Sequence, residues 1–142
     1  MTRFSIDSLA LVYELLKGLD AFVTVEPPAD LAKRLPAIVV EASAPGTIAN
    51  HGSPAHGALC TVTLTALSKN RAEASALCDT AYQRLFDSRG VQTEYGWINR
   101  VTNIQLPHLG VRGGNQSGGV ATAADGVYQF RAAVNLTLRR TS

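Results

Sequence analysis

The spacing of apolar positions predicts two amphipathic helices in this chain. The first would begin at Asp7, whose carboxylate can cap the opening turn, and end at Gly18, where a left-handed residue is favourable. The second would begin after Asn70, with Glu73 completing a capping-box pattern, and stop before Gly90. Both apolar stripes have helical spacing. They consist of Leu9, Val12, Leu16 and Leu19 in the first helix, and of Ala74, Leu77, Cys78, Ala81 and Leu85 in the second.

Alternating positions and β-branched runs predict strands in the rest of the chain. The first two predicted strands are Phe22–Glu26 and Ala37–Ala42. The continuous apolar run of the second is typical of a strand that is covered on both faces or buried in a subunit contact. Thr61–Leu67 alternates apolar residues with threonines, which predicts a strand with one buried face. Trp97–Leu106 is predicted to be a further strand that ends at Pro107, because proline cannot donate to the ladder.

The last predicted strand, Val127–Arg139, has the longest alternation in the chain. It would extend roughly 40 Å at about 3.3 Å per residue, which is longer than most strands, so we expect it to overhang its own sheet. Its polar face holds Arg131 and Arg139, and Arg100 lies on the strand before it. Like charges on neighbouring strands repel, so these arginines are expected to face solvent, acidic groups or a partner. Protection of a sheet edge against aggregation is the alternative interpretation.

The order of these elements predicts an α+β fold, with a mostly antiparallel sheet of about four to five strands and two helices packed on one face. Residues 1–142 are expected to form a single domain, because no repeat or composition break divides them. The glycine-rich segment 108–125 is predicted to be a flexible arm that orders on a partner, or else a flexible hairpin connection. The arm residues expected to make inter-subunit or partner contacts are Gly110, Arg112, Gly113, Asn115 and Gln116.

Composition narrows the classes of function. Charged residues make up 17% of the chain, so much of the surface is neutral and polar, and such groups cost less to desolvate in a protein contact than ions do. A net charge of +2 is too small to indicate nucleic-acid binding. No apolar run reaches the roughly 18 residues of a membrane span, and the N-terminus lacks a signal-peptide pattern. These features predict synthesis in the cytoplasm, reduced thiols and no membrane partner.

Side chains that could carry chemistry are sparse. His51, His56 and Cys60 are three potential ligands with no matching fourth, so no metal site is predicted. Cys78 lies in a helical stripe and is expected to behave as a small apolar side chain rather than as a nucleophile. The glycines of 110–119 precede a strand and lack the lysine of a phosphate-binding loop. We therefore predict no metal, no cofactor and no catalytic residue.

The chain as a whole resembles the tail terminator (tail completion) proteins of long-tailed siphophages, particularly those of actinobacterial hosts. The resemblance rests on one apolar and one amphipathic strand, on the second helix and on the beginnings of the last two strands. These segments are Leu35–Val40, Thr61–Leu67, Arg71–Phe86, Gly96–Val101 and Tyr128–Ala132. The family has no short functional motif, so the resemblance assigns no role to an individual residue.

The resemblance implies a structural protein of the virion, at the head-proximal end of the tail, that is made in the host cytoplasm. Proteins of this family form a hexameric ring that caps the tail tube, stops its polymerisation and joins the tail to the head-side connector protein. The implied partners are further copies of the chain, the tail tube protein and that connector, and DNA passes through the ring without specific binding. Two alternatives stay open: another head–tail connector or joining protein, and a small-ligand-binding α+β domain.

Overall fold

The computed structural model describes residues 6–43, 57–112 and 126–140 of the chain. These residues form two α-helices, a 3₁₀ turn and five strands. The helices are α1 (Ser8–Leu16) and α2 (Arg71–Asp87), and the 3₁₀ turn is Leu31–Lys33. The strands are β1 (Phe22–Thr24), β2 (Ala37–Ala42), β3 (Gly57–Ser68), β4 (Trp97–Arg112) and β5 (Tyr128–Arg139).

The strands build one sheet in the order β1-β2-β3-β5-β4. β1 is parallel to β2, and the other neighbouring pairs are antiparallel. Both helices pack on the same face of the sheet, with α1 over β1 and β2, and α2 over β3, β5 and β4. The predicted α+β class, with a mostly antiparallel sheet and two helices on one face, is therefore confirmed.

The main core lies between the helices and this face of the sheet. Leu11 and Leu16 of α1, and Leu85 of α2, are fully buried against it. The sheet contributes the inward positions of its alternating strands, and each fully buried Val or Leu stabilises the fold by about 1.5–3 kcal/mol. These sheet residues are Ile38, Val40, Val62, Leu64, Val134, Leu136 and Leu138. The alternation in the sequence thus gives the correct buried face.

Capping residues begin both helices where the sequence predicts them. The Ala10 N–H donates to the Asp7 carboxylate at 3.0 Å, and the Glu73 N–H donates to the Asn70 side chain at 3.1 Å. The Glu73 carboxylate, however, accepts a hydrogen bond from the hydroxyl of Ser68. The Ser68 hydroxyl oxygen in turn accepts a hydrogen bond from the N–H of Asn70 at 3.0 Å. The contact between Glu73 and the Asn70 N–H that a capping box makes directly therefore runs through the Ser68 hydroxyl.

The two helices end differently. Gly90 adopts the left-handed conformation predicted for it just beyond α2, with φ of 81°. The same prediction for Gly18 was wrong, because Gly18 is not among the glycines with positive φ. After α1 the chain instead forms a turn in which the Leu19 N–H donates to the Leu16 carbonyl at 3.0 Å.

A second, smaller apolar cluster covers one end of the opposite sheet face. Ala37 and Val39 of β2 point into it and meet Leu31 of the 3₁₀ turn. Because Ile38 and Val40 point into the main core, the first part of β2 is covered on both faces, as its apolar run predicts. Gln129, expected on a polar face of the last strand, is also fully buried. The polar face of β5 is therefore only partly open to solvent.

β4 is longer than the sequence predicts. The predicted end at Pro107 was wrong, because β4 continues to Arg112 and His108 pairs with Arg131 of β5. Proline is tolerated there because β4 is an edge strand with an irregular register between Gln105 and His108. The predicted arm over 108–125 therefore begins too early, and residues 113–125 lie outside the described residues.

The predicted overhang of the last strand was also wrong. Each residue of β5, from Tyr128 to Arg139, pairs with a residue of β3, and β4 pairs with its other side. β3 can cover it because it spans Gly57–Ser68, well beyond the predicted Thr61–Leu67. Free strand edge is consequently found on β4 and at the β1–β2 side, and not on β5.

Candidate interaction surfaces

Titratable side chains do not converge in the part of the chain that the structure describes. No group of three or more His, Cys, Asp or Glu residues there is placed to hold a metal ion. Burial raises the pKa of Cys60 to about 11 and that of Cys78 to about 12, so both are protonated, unreactive thiols near neutral pH. His51 and His56 lie outside the described residues. The expectation that the chain has no catalytic role and no cofactor stays a prediction.

The residues predicted to contact a partner from a flexible arm are described only in part. Gly110 and Arg112 belong to β4, near its end. Gly113, Asn115 and Gln116 lie outside the described residues. Their contact with a partner stays a prediction.

An open face is left on the side of the sheet opposite the helices. It is a shallow hollow whose walls are mainly hydroxyl and amide side chains, together with one exposed leucine and one arginine. We call this surface the open face; its residues are Ser43, Leu59, Thr61, Arg100, Thr102, Asn135 and Thr137. The Thr61 hydroxyl donates to the Asn135 amide oxygen at 2.6 Å, which fixes two of these side chains. The surface is neutral and polar at its centre, with positive charge towards β4.

The three predicted arginines occupy different parts of this side of the sheet. Arg100 is exposed on the open face, opposite Thr137. Arg139 is half-buried at the end of β5, and Arg131 is half-buried beside the second apolar cluster, paired with His108. The Arg131 Nε is buried with no hydrogen-bond partner among the described residues. The structure therefore does not gather the arginines at one site.

The outer edge of β4 is a long free strand edge. Arg89 and Gly90 cover only its start, where the Gly90 N–H donates to the Ile98 carbonyl at 2.9 Å. Beyond Ile98, no strand in the described ranges pairs with this edge. Three apolar side chains are exposed in the same stretch: Ile104 by 47%, Leu106 by 63% and Leu109 by 41%. Exposed apolar groups beside unpaired backbone are typical of a surface that another chain covers.

Leu106 also forms one wall of a groove on the helix side of the molecule. With Pro107 it faces the exposed flank of α2. That flank is made of small and polar side chains: Ala72, Ser75, Ala76, Asp79, Tyr82 and Gln83. Leu106 is 63% exposed there, more than any other large apolar side chain in the described residues.

The β1–β2 side of the sheet is also incompletely paired. β1 covers only Ala37–Val39 of β2, so the outer side of Val40–Ala42 faces no strand of the described residues. Two exposed acids, Glu26 and Glu41, lie on this side. We call it the β1–β2 edge.

An apolar hollow lies on the helix side of the β1–β2 edge. It is lined by Leu9, Ala10 and Tyr13 of α1, together with Val25 and Asp7. The Tyr13 ring is 40% exposed there. This hollow, which we call the α1 hollow, is open to a side chain from outside the molecule.

Sequence reasoning missed both of these lateral surfaces. The signal for the β4 edge is present as Ile104, Leu106 and Leu109, which surround a proline in the second half of the strand. The α1 hollow has no local signal, because Val25 reaches Tyr13 only through the packing of α1 on β1.

No known protein family matches the chain, and no curated protein matches it either. The resemblance to tail terminators therefore stays a prediction from the sequence. Within the described ranges, no helix has the length and apolar character needed to cross a membrane.

Proposed function

We propose that this chain is a structural protein of a phage virion, a tail terminator whose copies form a ring at the head-proximal end of the tail. The ring caps the tail tube, stops its polymerisation and joins the tail to the head-side connector protein. The sequence resemblance supports this proposal, and so does one structural observation. Both lateral sides of the sheet are incompletely covered, and the two sides differ in shape and charge.

Two different lateral surfaces suit a ring better than a symmetric dimer. A head-to-tail contact between unlike surfaces repeats from copy to copy, and it closes into a ring when the rotation fits. The faces above and below such a ring are then free for other proteins. Termination requires these upper and lower faces to differ, because one face must match the tube while the other must not accept a further tube ring.

The low charge of β1, β2 and β3 supports a passage for DNA that does not grip it, whereas the four arginines of the sheet lie on β4 and β5. β1, β2 and β3 hold a single charged residue, Glu41. Each phosphate contact by a basic side chain adds salt-dependent affinity, so a channel with few such contacts lets DNA pass. The proposed partners are therefore further copies of the chain, the tail tube protein and the connector, with no specific DNA site.

Electron microscopy of the purified protein mixed with polymerising tail tube protein tests the proposal. We expect a ring at one end of each tube, and tubes that stop growing when the ring is present. Rings that bind the isolated connector but leave tube growth unchanged would favour another head–tail joining protein. A monomer that leaves the tubes bare and binds a small molecule on the open face would favour a ligand-binding domain.

A further inference from the structure

We propose that copies of this chain associate head to tail through the two lateral sides of the sheet. The outer edge of β4 in one copy meets the β1–β2 edge and the α1 hollow of the next. This inference rests on the ring of the proposed function and identifies the surfaces that build it. Two independent features of these surfaces, charge and shape, support it.

The charges of the two sides are complementary. β4 and β5 contain four arginines and no acid, although the exposed Asp79 of α2 lies beside Leu106. Arg100 and His108 are exposed along β4; the pairings place His108 at the level of Val39 and Arg100 beyond the level of Ala42. The β1–β2 edge presents the exposed acids Glu26 and Glu41. At the two ends of the adjoining 3₁₀ turn, Asp30 and Arg34 pair with each other at 3.2 Å, so their charges largely cancel, although Lys33 of the turn is exposed. Opposite charges across an interface favour the correct partner and exclude like surfaces.

The shapes of the two sides are complementary on the helix side of the sheet. Leu106 is the most exposed of the large apolar side chains on β4, at 63%, and lies on the helix side of the sheet beside α2. The α1 hollow is a shallow apolar depression on the opposite side of the molecule. Placing Leu106 of one copy in the hollow of the next would remove apolar surface of both from water, at about 25 cal/mol per Å².

Leu106 and the α1 hollow lie at the same level along the strands. The pairing across β5 and β3 places Leu106 between the levels of Val39 and Glu41. Val25 of the hollow directly follows Thr24, which pairs with Val39. If the next copy is related by rotation about an axis parallel to the strands, Leu106 of one copy therefore meets the α1 hollow of the other without any shift along that axis.

The strand directions also suit this arrangement. The pairings make β4 antiparallel to β1 and β2. Rotation about an axis along the strands preserves these directions, so β4 of one copy runs antiparallel to β2 of the next. Antiparallel neighbours can exchange backbone hydrogen bonds at the edge of a sheet, and here Pro107 and the irregular register of β4 limit such bonds to part of the edge. A second copy of the chain is therefore a suitable occupant for both sides.

Charge reversal tests the proposed contact. Variant A carries Glu26→Arg and Glu41→Arg, and variant B carries Arg100→Glu and His108→Glu. Sedimentation velocity at a fixed protein concentration should show that each variant alone associates at least about tenfold more weakly than the native chain, because like charges then face each other. An equimolar mixture of A and B should recover association, because an alternating ring restores opposite charges at every contact.

A matched pair of neutral substitutions tests the apolar contact. Leu106→Gln should weaken association, whereas Leu59→Gln removes an equally large, 43% exposed leucine from the open face and should leave association unchanged. Unfolding midpoints of all variants establish that they are folded. Equal effects of the two leucine substitutions, or a mixture of A and B that behaves like its separate components, would overturn the proposed surfaces.

The results separate this inference from the proposed function. If the native chain and variants A and B all form rings that cap tubes, the proposed surfaces are wrong and the terminator function stands. If the variants and their mixture behave as described but the native rings never bind tubes, the surfaces stand and the terminator function fails. A native chain that stays monomeric at all concentrations and also leaves the tubes bare contradicts both.

Discussion

Gly96 has a backbone conformation that only glycine adopts without strain, since its φ is 129°. An added Cβ would lie 2.5 Å from the Arg139 carbonyl oxygen, at the place where β4 starts beside the end of β5. Gly90 also has a positive φ, of 81°, but a Cβ there meets no atom within 4 Å. Substitution of Gly90 therefore adds backbone strain alone, whereas substitution of Gly96 adds both strain and a steric overlap.

We expect Gly96→Ala to lower the free energy of unfolding by roughly 3 kcal/mol or more, because both strain and overlap with a paired strand are added. Gly90→Ala should cost only about 1–2 kcal/mol, since it adds strain alone. Urea unfolding of both variants and the native chain measures the difference. Equal losses would mean that β5 can move away from residue 96 at little cost.

The two cysteines give the stability of the fold a dependence on alkaline pH. An unfolded thiol loses its proton near pH 9, whereas burial raises the pKa to about 11 for Cys60 and about 12 for Cys78. Between these values the unfolded state binds fewer protons than the folded state. The free energy of unfolding contributed by each thiol is therefore unaffected below pH 8 and falls as the pH rises from about 9 towards 11.

The variant Cys60→Ala with Cys78→Ala isolates this effect. Its stability should be lower than that of the native chain at pH 7 because of the cavities, but it should decline less steeply above pH 9. Urea unfolding at a series of pH values gives the two curves. Parallel curves above pH 9 would show that the thiols ionise as easily in the folded chain as in the unfolded one.

At the scale of elements, the sequence correctly predicts the features that depend only on neighbouring residues, namely helix caps and the buried faces of strands. Asp7 and Asn70 cap the helices as predicted, because a cap depends on only a few neighbouring residues. The alternation in β3 and β5 gives the right buried faces, because side chains of a strand alternate by geometry. Fold class follows from the order of such elements.

The errors concern strand ends and partners, which depend on the whole sheet. Pro107 marks a strand end only if its neighbours need its N–H, and at the irregular edge of β4 they do not. The long alternation of β5 predicts a strand correctly but not its coverage, because β3 begins at Gly57, ahead of the predicted start at Thr61. The order of the strands in the sheet determines both whether Pro107 ends β4 and how fully β5 is paired, and that order depends on the whole chain.

Hydrogen exchange tests the role assigned to the β4 edge. Amides of β5 should exchange slowly at any protein concentration, because both sides of this strand are paired within one chain. Peptides covering residues 100–109 should exchange faster in dilute protein and become protected when copies associate. Exchange in 100–109 that is independent of concentration would show that copies do not cover this edge.

At the scale of the whole molecule, the candidate surfaces could be predicted from the sequence only in part. The sequence shows the arginines of the last two strands and the acids of the first ones. That they lie on opposite sides follows from the order β1-β2-β3-β5-β4, which separates the first strands from β4. The α1 hollow similarly exists only after α1 has packed over β1.

The mass of the purified protein in solution, measured by native mass spectrometry over a range of concentrations, tests head-to-tail association most directly. Six chains of 15.1 kDa give about 91 kDa, and we expect a closed species of that mass without larger open chains. A mass of 15.1 kDa throughout the range, or a symmetric dimer of about 30 kDa, would contradict it.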